Sequence, residues 1–379
     1  MKNETWIDAG TACARLSVKP QTLYAYVARG RLRSKADPQD ARRSLYALVD
    51  VEALAAQSRR PRARADVAAS AIRWGDPVLE TSISDVVDGR LRFRRRAMEV
   101  CAAQMTHEEV TAWQCDLPHV QAPDTAPRGT GPDVFARAMA HLAAEAAGAD
   151  AADLNAPRHL AATVARLISG TANACLGGRY TGPIHARFAE AWALDAGGAE
   201  AVRRALVALS DHELNPSTFA VRVCAGTGAS LPAALLAGMA ILSGPRHGGV
   251  AVQTRTVLER VLADGPHAIG NVPSYEMGFG HPLYPAGDPR AALLLNCLPA
   301  NAVARRGVET VATALGVPPN VDAGLVALSL HLNLPGDAPA ALFAIGRMAG
   351  WAAHAIEQAR SGAMIRPRAR YVGPSSAFE

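Results

Sequence analysis

From residue 133 onward, apolar residues recur every three or four positions, and glycine or proline breaks each run. That period predicts helix after helix. The runs are Phe135–Ala147, His159–Ala174, Pro183–Leu194, Ala199–Leu209, Ser217–Gly226, Leu231–Leu242 and Ala251–Leu262. They continue with Arg290–Arg305, Val308–Leu315 and Pro339–Arg360. One stretch stays open: Leu328, Leu330, Leu332 and Leu334 alternate as in a strand, whereas Leu325, Leu328 and Leu332 fit helical spacing. The first 56 residues read as a separate small unit. Asp8 or Thr11 caps a helix through Leu16, and Pro20 opens a second, Gln21–Arg29, stopped at Gly30. Arg33–Tyr46, with its Asp37–Pro38 turn, suits a β-hairpin, and Asp50–Ala56 a third helix. Residues 57–73 are basic, polar and Pro-broken, as in a linker. Residues 74–91 suit irregular or short-strand structure, and 121–132 a Pro/Gly-rich loop. The fold class is mainly α.

Composition sharpens this picture. Hydrophobic residues make up 49% of the 379, but aromatics only 5%. The core must therefore be built from Ala, Leu and Val, a mix that favours helices. No apolar run is long enough to cross a membrane, and no apolar leader precedes the first unit, so a soluble cytoplasmic protein is expected. The six cysteines are scattered without a Cys-x-x-Cys pair, which indicates neither a metal site nor a disulfide framework.

The formal charge of +5 is unevenly placed. Residues 1–66 hold thirteen basic and seven acidic side chains, a net of +6, so the rest of the chain carries −1. All three lysines, Lys2, Lys19 and Lys35, lie in that first segment. A Walker-type phosphate loop and a Schiff-base lysine are thereby excluded from the main body.

The segment Lys19–Leu32 (KPQTLYAYVARGRL), the basic hairpin after it and Leu45–Leu54 resemble the winged helix-turn-helix of the MerR/excisionase type. That resemblance implies nucleic-acid contacts by Lys19, Gln21, Thr22, Tyr24, Arg29, Arg42 and Arg43. Leu23 and Val27 would face its core.

In the main body, His212-Glu213 is not a zinc-peptidase His-Glu-x-x-His, because Pro216 follows. No Gly-x-Ser-x-Gly elbow occurs, and Gly226-Thr227-Gly228 lacks the third glycine of a dinucleotide loop. What remains is His247 and His281 beside glycines, Asp322 in an Asn-Val-Asp turn, and arginines outside the apolar pattern. A neutral histidine can donate to a developing oxyanion, a carboxylate can take a proton α to a carbonyl, and arginines clamp carboxylates. Such a set suits enolisation of a carbonyl compound and its addition to an anionic acceptor.

The blocks Asp211–Thr218, Ser243–Gly249, Gly278–Tyr284 with Asp288–Ala291, Pro319–Asp322, Phe343–Arg347, Gly350–His354 and Ile365–Arg368 together resemble the citrate synthase family, in order from residue 74 to the C-terminus. The resemblance implies an all-α homodimer with a large domain (74–248 and 336–379) and a small one (249–335). It implies condensation of acetyl-CoA with oxaloacetate and water to citrate and CoA, with no cofactor beyond the acyl-CoA substrate. By the same resemblance Asp322 is the base, His247 stabilises the enol and His281 polarises the oxaloacetate carbonyl. His212, Asn215, Arg290 and Arg347 line the oxaloacetate site, and Arg366 reaches the partner's site. His354 and Arg368 are expected to be structural. Ala323-Gly324-Leu325 replaces the family's usual serine-bearing sequence after the aspartate, and Pro285 stands where a lysine is usual. Two alternatives are a 2-methylcitrate synthase taking propionyl-CoA and a metabolite-sensing DNA-binding regulator.

Overall fold

The computed structural model describes residues 5–16, 18–28, 32–38, 40–58, 79–149, 157–270, 273–369 and 373. The chain divides into two compact units, Met1–Glu80 and Thr81–Glu379.

The first unit runs β1 (Trp6–Asp8), α1 (Ala9–Leu16), α2 (Pro20–Ala28), β2 (Ser34–Asp37), β3 (Asp40–Ala47) and α3 (Leu48–Ser58). Its sheet is antiparallel in the order β1-β3-β2, with Trp6 opposite Ala47 and Ser34 opposite Tyr46. Asp8 caps α1 by accepting from the Thr11 backbone N–H at 2.9 Å and its hydroxyl at 2.7 Å. Ala12, Leu16, Leu23, Leu32, Tyr46, Val51 and Leu54 form the core. Asp50 does not start α3, which begins two residues earlier. Its carboxylate instead takes the Arg33 guanidinium through Nε at 2.8 Å and Nη2 at 2.9 Å. Most of the expected linker, 59–73, lies outside the described residues, as do Arg29 and Gly30; α3 extends to Ser58.

The second unit opens with an antiparallel sheet of β4 (Ser84–Val87), β5 (Arg90–Phe93) and β6 (Arg96–Ala97). Helices follow: α4 (Met98–Gln104), α5 (His107–Cys115), α6 (Val134–Ala147), α7 (Pro157–Leu176), α8 (Ile184–Ala191), α9 (Ala196–Ala208) and α10 (Pro216–Ala225). Then come α11 (Leu231–Leu242), α12 (Val250–Asp264), α13 (Pro289–Leu295), α14 (Val303–Leu315), α15 (Val321–His331) and α16 (Ala338–Ser361). The periodicity misses α4 and α5; the capping box of Thr106 and Glu109 is the local signal that marks α5. The expected helix Arg290–Arg305 breaks at 296–302, around Pro299, and the chain becomes helical again only at Val303, the start of α14. The Pro183–Leu194 run ends at Ala191, and Ala193 turns left-handed (φ 51°). Of the ambiguous leucines, Leu325, Leu328 and Leu330 belong to helix α15, Leu332 is its C-cap and Leu334 lies beyond it; Val321 and Ala323–Ser329 are all buried, so alternation carried no facial information there.

Helix α16 is the axis of this unit. It is buried along almost its whole length, against α5, α9, α10 and α11. Two glycines permit that closeness. A Cβ on Gly346 would lie 2.7 Å from Leu209 Cβ, and one on Gly350 would overlap Asp211 Oδ1 and sit 2.5 Å from Ser210 O. Gly350 N–H donates to that same Ser210 carbonyl at 2.8 Å. The 209–213 segment is thus pressed directly onto α16. Among the described residues, no helix is long and apolar enough to cross a membrane.

Gly350→Ala is expected to lower unfolding free energy by about 2 kcal/mol or more, because neither backbone nor buried carboxylate can retreat. Gly148→Ala, where a Cβ meets open space, is the control and should cost under about 0.5 kcal/mol in the same urea titration.

Candidate active site

The residues singled out by sequence converge where five chain segments meet. Segment 278–284 is zipped to 318–322: Gly280 N–H donates to Pro318 O at 2.7 Å and Asn320 N–H to Gly278 O at 2.9 Å. Gly278, at φ 82°, has no room for a side chain, since a Cβ would sit 2.9 Å from Ala323 N. Asn320 caps α15 and also donates to Gly280 O at 3.1 Å. These bonds hold the His281 loop against the start of α15, where Asp322 sits.

Asp288 caps α13 and binds Arg290 through Nε at 3.0 Å and Nη2 at 2.7 Å. The same carboxylate accepts the Val321 backbone N–H at 3.1 Å, tying α13 to the turn that carries Asp322. Arg290 and Asp288 are both buried. Burial opposes both charges, but each partner outweighs it: the carboxyl is held below, and the guanidinium above, its ordinary value. The Arg290 guanidinium lies 5.6 Å from the Tyr284 ring centre.

Tyr284 shares a 2.9 Å hydrogen bond with His212 Nε2. The His212 and His281 rings meet edge to face at 5.1 Å. Burial, then the charges of Arg290 and Arg347, keep His212 neutral, well below its usual pKa. His281 is pushed down to about 4 by burial and then by Arg290. Its Nδ1 accepts the Leu283 N–H at 3.2 Å, so in the neutral ring the proton sits on Nε2.

His247 lies on the other side, its ring 5.8 Å from Phe343, which in turn lies 5.0 Å beneath the Arg347 guanidinium. Burial and then Arg347 push His247 down to about 4. Its Nε2 is 2.9 Å from Ser217 Oγ. That hydroxyl receives the Trp351 indole N–H at 3.3 Å and lies 2.7 Å from Asn215 Oδ1. It has one proton for two acceptors, so the Ser217 rotor sets the His247 tautomer. Asn215 Oδ1 also accepts the Thr218 N–H at 3.0 Å, capping α10.

Arg347 is 1% exposed and makes one hydrogen bond, Nε to Leu209 O at 2.8 Å; its Nη2 has no partner. Burial pulls its pKa down to about 10. Asp322 Oδ1 is likewise buried without a partner. Burial drives that carboxyl up to about 7 against the pull of Arg290. An unpaired guanidinium nitrogen and an unpaired carboxyl oxygen are what a site retains for a polar ligand.

His212, Asn215, His247, His281, Arg290, Asp322 and Arg347 therefore form one network. Arg366 does not join it: it is exposed beyond α16 and makes no hydrogen bond or ion pair with the described residues. Tyr284, Ser217, Asp288 and Phe343 also belong to the site, although the sequence does not single them out as site residues. The Asp-Pro-Arg cap signal of α13 could have found Asp288; nothing local marks the others. In the first unit, Lys19 just before α2 and Gln21, Thr22 and Tyr24 on α2 are exposed, while Leu23 is buried. Arg43 is 3.4 Å from Asp40, Arg42 lies on β3 with its side chain outside the described set, and Arg29 lies outside the described residues.

Known proteins share this arrangement of chain. The chain is 36% identical over 190 residues to citrate synthase 2 of Bacillus subtilis, covering 46% of this chain and 51% of that protein. It is 36% identical over 195 residues to the citrate synthase of Saccharolobus solfataricus, covering 46% and 52%. The chain thus spans about half the length of the curated relatives it matches. In fold it is similar to Thermoplasma acidophilum citrate synthase, solved as a ternary complex with carboxymethyl coenzyme A and oxaloacetate. That likeness has a TM-score of 0.65 at 24% identity, over 80% of this chain and 96% of that one. For the Thermotoga maritima citrate synthase structure the TM-score is 0.60 at 22% identity, over 80% and 96%. The family model described as citrate synthase, C-terminal domain, matches residues 73–368. With its site network carried inside that match, the chain belongs to the citrate synthase family.

Proposed function

We propose that this protein condenses acetyl-CoA with oxaloacetate and water to citrate and CoA. The observation that carries the reading is Asp322: a buried carboxyl raised to about 7, with a free oxygen, in the field of Arg290 and of Arg347, whose Nη2 has no partner. A base poised near neutral pH suits abstraction of a weakly acidic proton.

In this reading Asp322 takes a proton from the acetyl methyl. His247 hydrogen-bonds the thioester oxygen as it becomes an enol; with the Ser217 O–H turned to donate to Nε2, the neutral ring carries its one proton at Nδ1 and points it at that oxygen. His281 donates a hydrogen bond from Nε2 to the ketone oxygen of oxaloacetate; the alkoxide formed as the enol carbon bonds to the carbonyl carbon takes up one proton, which balances the one that Asp322 removed from the methyl. Water then cleaves the thioester, releasing CoA as the thiol. Arg290, Arg347 and His212 hold the carboxylates, with Asn215 lining the site. Asp288 keeps Arg290 aimed, and the partnerless Nη2 of Arg347 receives a carboxylate oxygen.

The site draws on both sides of the expected division at 249 and 335. His281, Arg290 and Asp322 come from the smaller part, and the other ligands from the larger. Arg366, exposed here, suits a contribution to the partner's site in a homodimer. Propionyl-CoA as the acyl donor, giving 2-methylcitrate, is the same chemistry. A second activity is favoured by the first unit: its helix–turn–helix, hairpin and third helix, with Lys19 exposed before α2 and Gln21, Thr22 and Tyr24 exposed on it, suit a winged helix-turn-helix that reads DNA. Arg43, and Arg29 and Arg42 by sequence position, would add phosphate contacts. A metabolite-sensing regulator would bind the same substrates without turning them over.

Thiol release decides the first reading. Oxaloacetate with acetyl- or propionyl-CoA should liberate free CoA, and Asp322→Asn should slow it at least about 10³-fold; no release with either donor rejects the enzyme in favour of a sensor. The kcat/KM profile should fall as pH drops through about 7, because Asp322 must be ionised, while the histidines, near 4, titrate outside that range. The same shift has a stability consequence. The folded pKa lies above the ordinary value of 3.8, so the wild type loses stability as pH rises from about 4 to about 7. Asp322→Asn should therefore melt about 3 °C higher at pH 8, with a smaller gain near pH 5. For the first unit, a gel shift on duplex DNA from upstream of its gene should weaken steeply with salt and with Lys19→Ala; no shift at low salt removes the DNA reading.

A further inference from the structure

We infer that Asp211 and His354 are a positioning pair that sets the two oxaloacetate-binding side chains His212 and Arg347. This rests on the proposed assignment of those two as ligands. The 209–213 segment carries both anchors: Leu209 O receives Arg347 Nε at 2.8 Å, and His212 bonds Tyr284 at 2.9 Å. Both depend on how the segment is held; Ser210 is tied to Gly350 N and Gln114 Nε2, and the part next to His212 is held through one buried carboxylate.

Asp211 is fully buried and accepts at Oδ2 from Ser84 Oγ and from His354 Nε2, the latter at 3.2 Å. Ser84 Oγ also receives the Glu213 backbone N–H at 3.0 Å, so one hydroxyl grips both ends of the His212 peptide pair. Glu213 is held left-handed, at φ 48°, and its carboxylate takes the Val86 N–H at 2.9 Å. A non-glycine residue in that region is strained, and strain persists only where surrounding bonds over-determine it. On the far side, His354 Nδ1 lies 4.0 Å from Glu357 Oε2. Glu357 is itself bonded by Ser82 N and Oγ, each at 2.8 Å, and by Arg222 Nη1 at 3.0 Å. A fully buried histidine between two carboxylates is more than a helix needs in order to pack. Burial opposes the Asp211 charge, yet His354 and Arg347 hold the carboxyl below its usual value, so it stays ionised and His354 must be the donor.

The pair acts through position, so the variants separate donor from ring. His354→Ala removes the N–H; His354→Gln keeps one. In steady-state assays of the full chain, His354→Ala should raise the oxaloacetate KM at least tenfold and leave the acyl-CoA KM within twofold. His354→Gln should return the oxaloacetate KM to within threefold of wild type. Independently of turnover, imidazole NMR of the substrate-free protein should show the His212 ring resonances displaced in His354→Ala and restored in His354→Gln. Should His354→Ala not fold, Ser84→Ala, which removes the other donor to Asp211, is read in the same two ways. Unmoved His212 resonances, or equal rises in both KM values, overturn the proposal. Absence of turnover in the wild type would reject the condensation reading alone, with the NMR comparison still deciding this one.

Discussion

Two guanidinium groups, Arg290 and Arg347, lie at 2% and 1% exposure within one helical body. A buried cation is costly unless protein groups replace its water, and this protein answers that cost in two different ways. Arg290 has a dedicated carboxylate, Asp288, bound through two nitrogens. Arg347 has a single carbonyl, the field of Asp211, and a nitrogen left without a partner. The first arrangement fixes a geometry; the second leaves a place for a ligand anion.

The properties of the other site residues follow from that burial. Histidines placed beside two cations in a poorly solvated region stay neutral, so they serve as hydrogen-bond donors rather than as charges. Their tautomers are then chosen by small neighbours, the Leu283 N–H for His281 and the Ser217 hydroxyl for His247. Asp322 feels the same desolvation with the opposite consequence: a carboxyl that is easy to protonate near neutral pH. One physical term, applied to acids and bases alike, thus sorts the side chains into a poised base and neutral donors.

Much of this was legible along the chain. Gly148, Leu231–Leu242 and Asp8 announced helix ends and a helix almost to the residue, because caps and periods act over a few positions. His247, His281, Asp322 and the Arg290 motif stood out as short blocks, because glycine and proline beside a polar residue mark a loop that must hold a shape. Other elements were not legible. The helix expected over Arg290–Arg305 breaks near Pro299, and α15 hides behind leucine alternation because it is buried nearly all round. Tyr284, Ser217 and Phe343 matter through partners 30 or more residues away, such as the 72-residue separation of Tyr284 from His212.

The sequence by itself determined the helical class, the family blocks and the confinement of lysine and net positive charge to the first 66 residues. Those are local or compositional properties, written in adjacent residues. Tertiary structure alone decided which carboxyl is raised, which histidine nitrogen carries the proton, and which guanidinium is left with a partnerless nitrogen. Each depends on how much water a group loses and which distant groups replace it. The position of Gly350 against Asp211, 139 residues apart in sequence, is of that kind: the residue type is visible in the chain, but the contact that requires it exists only once α16 has packed.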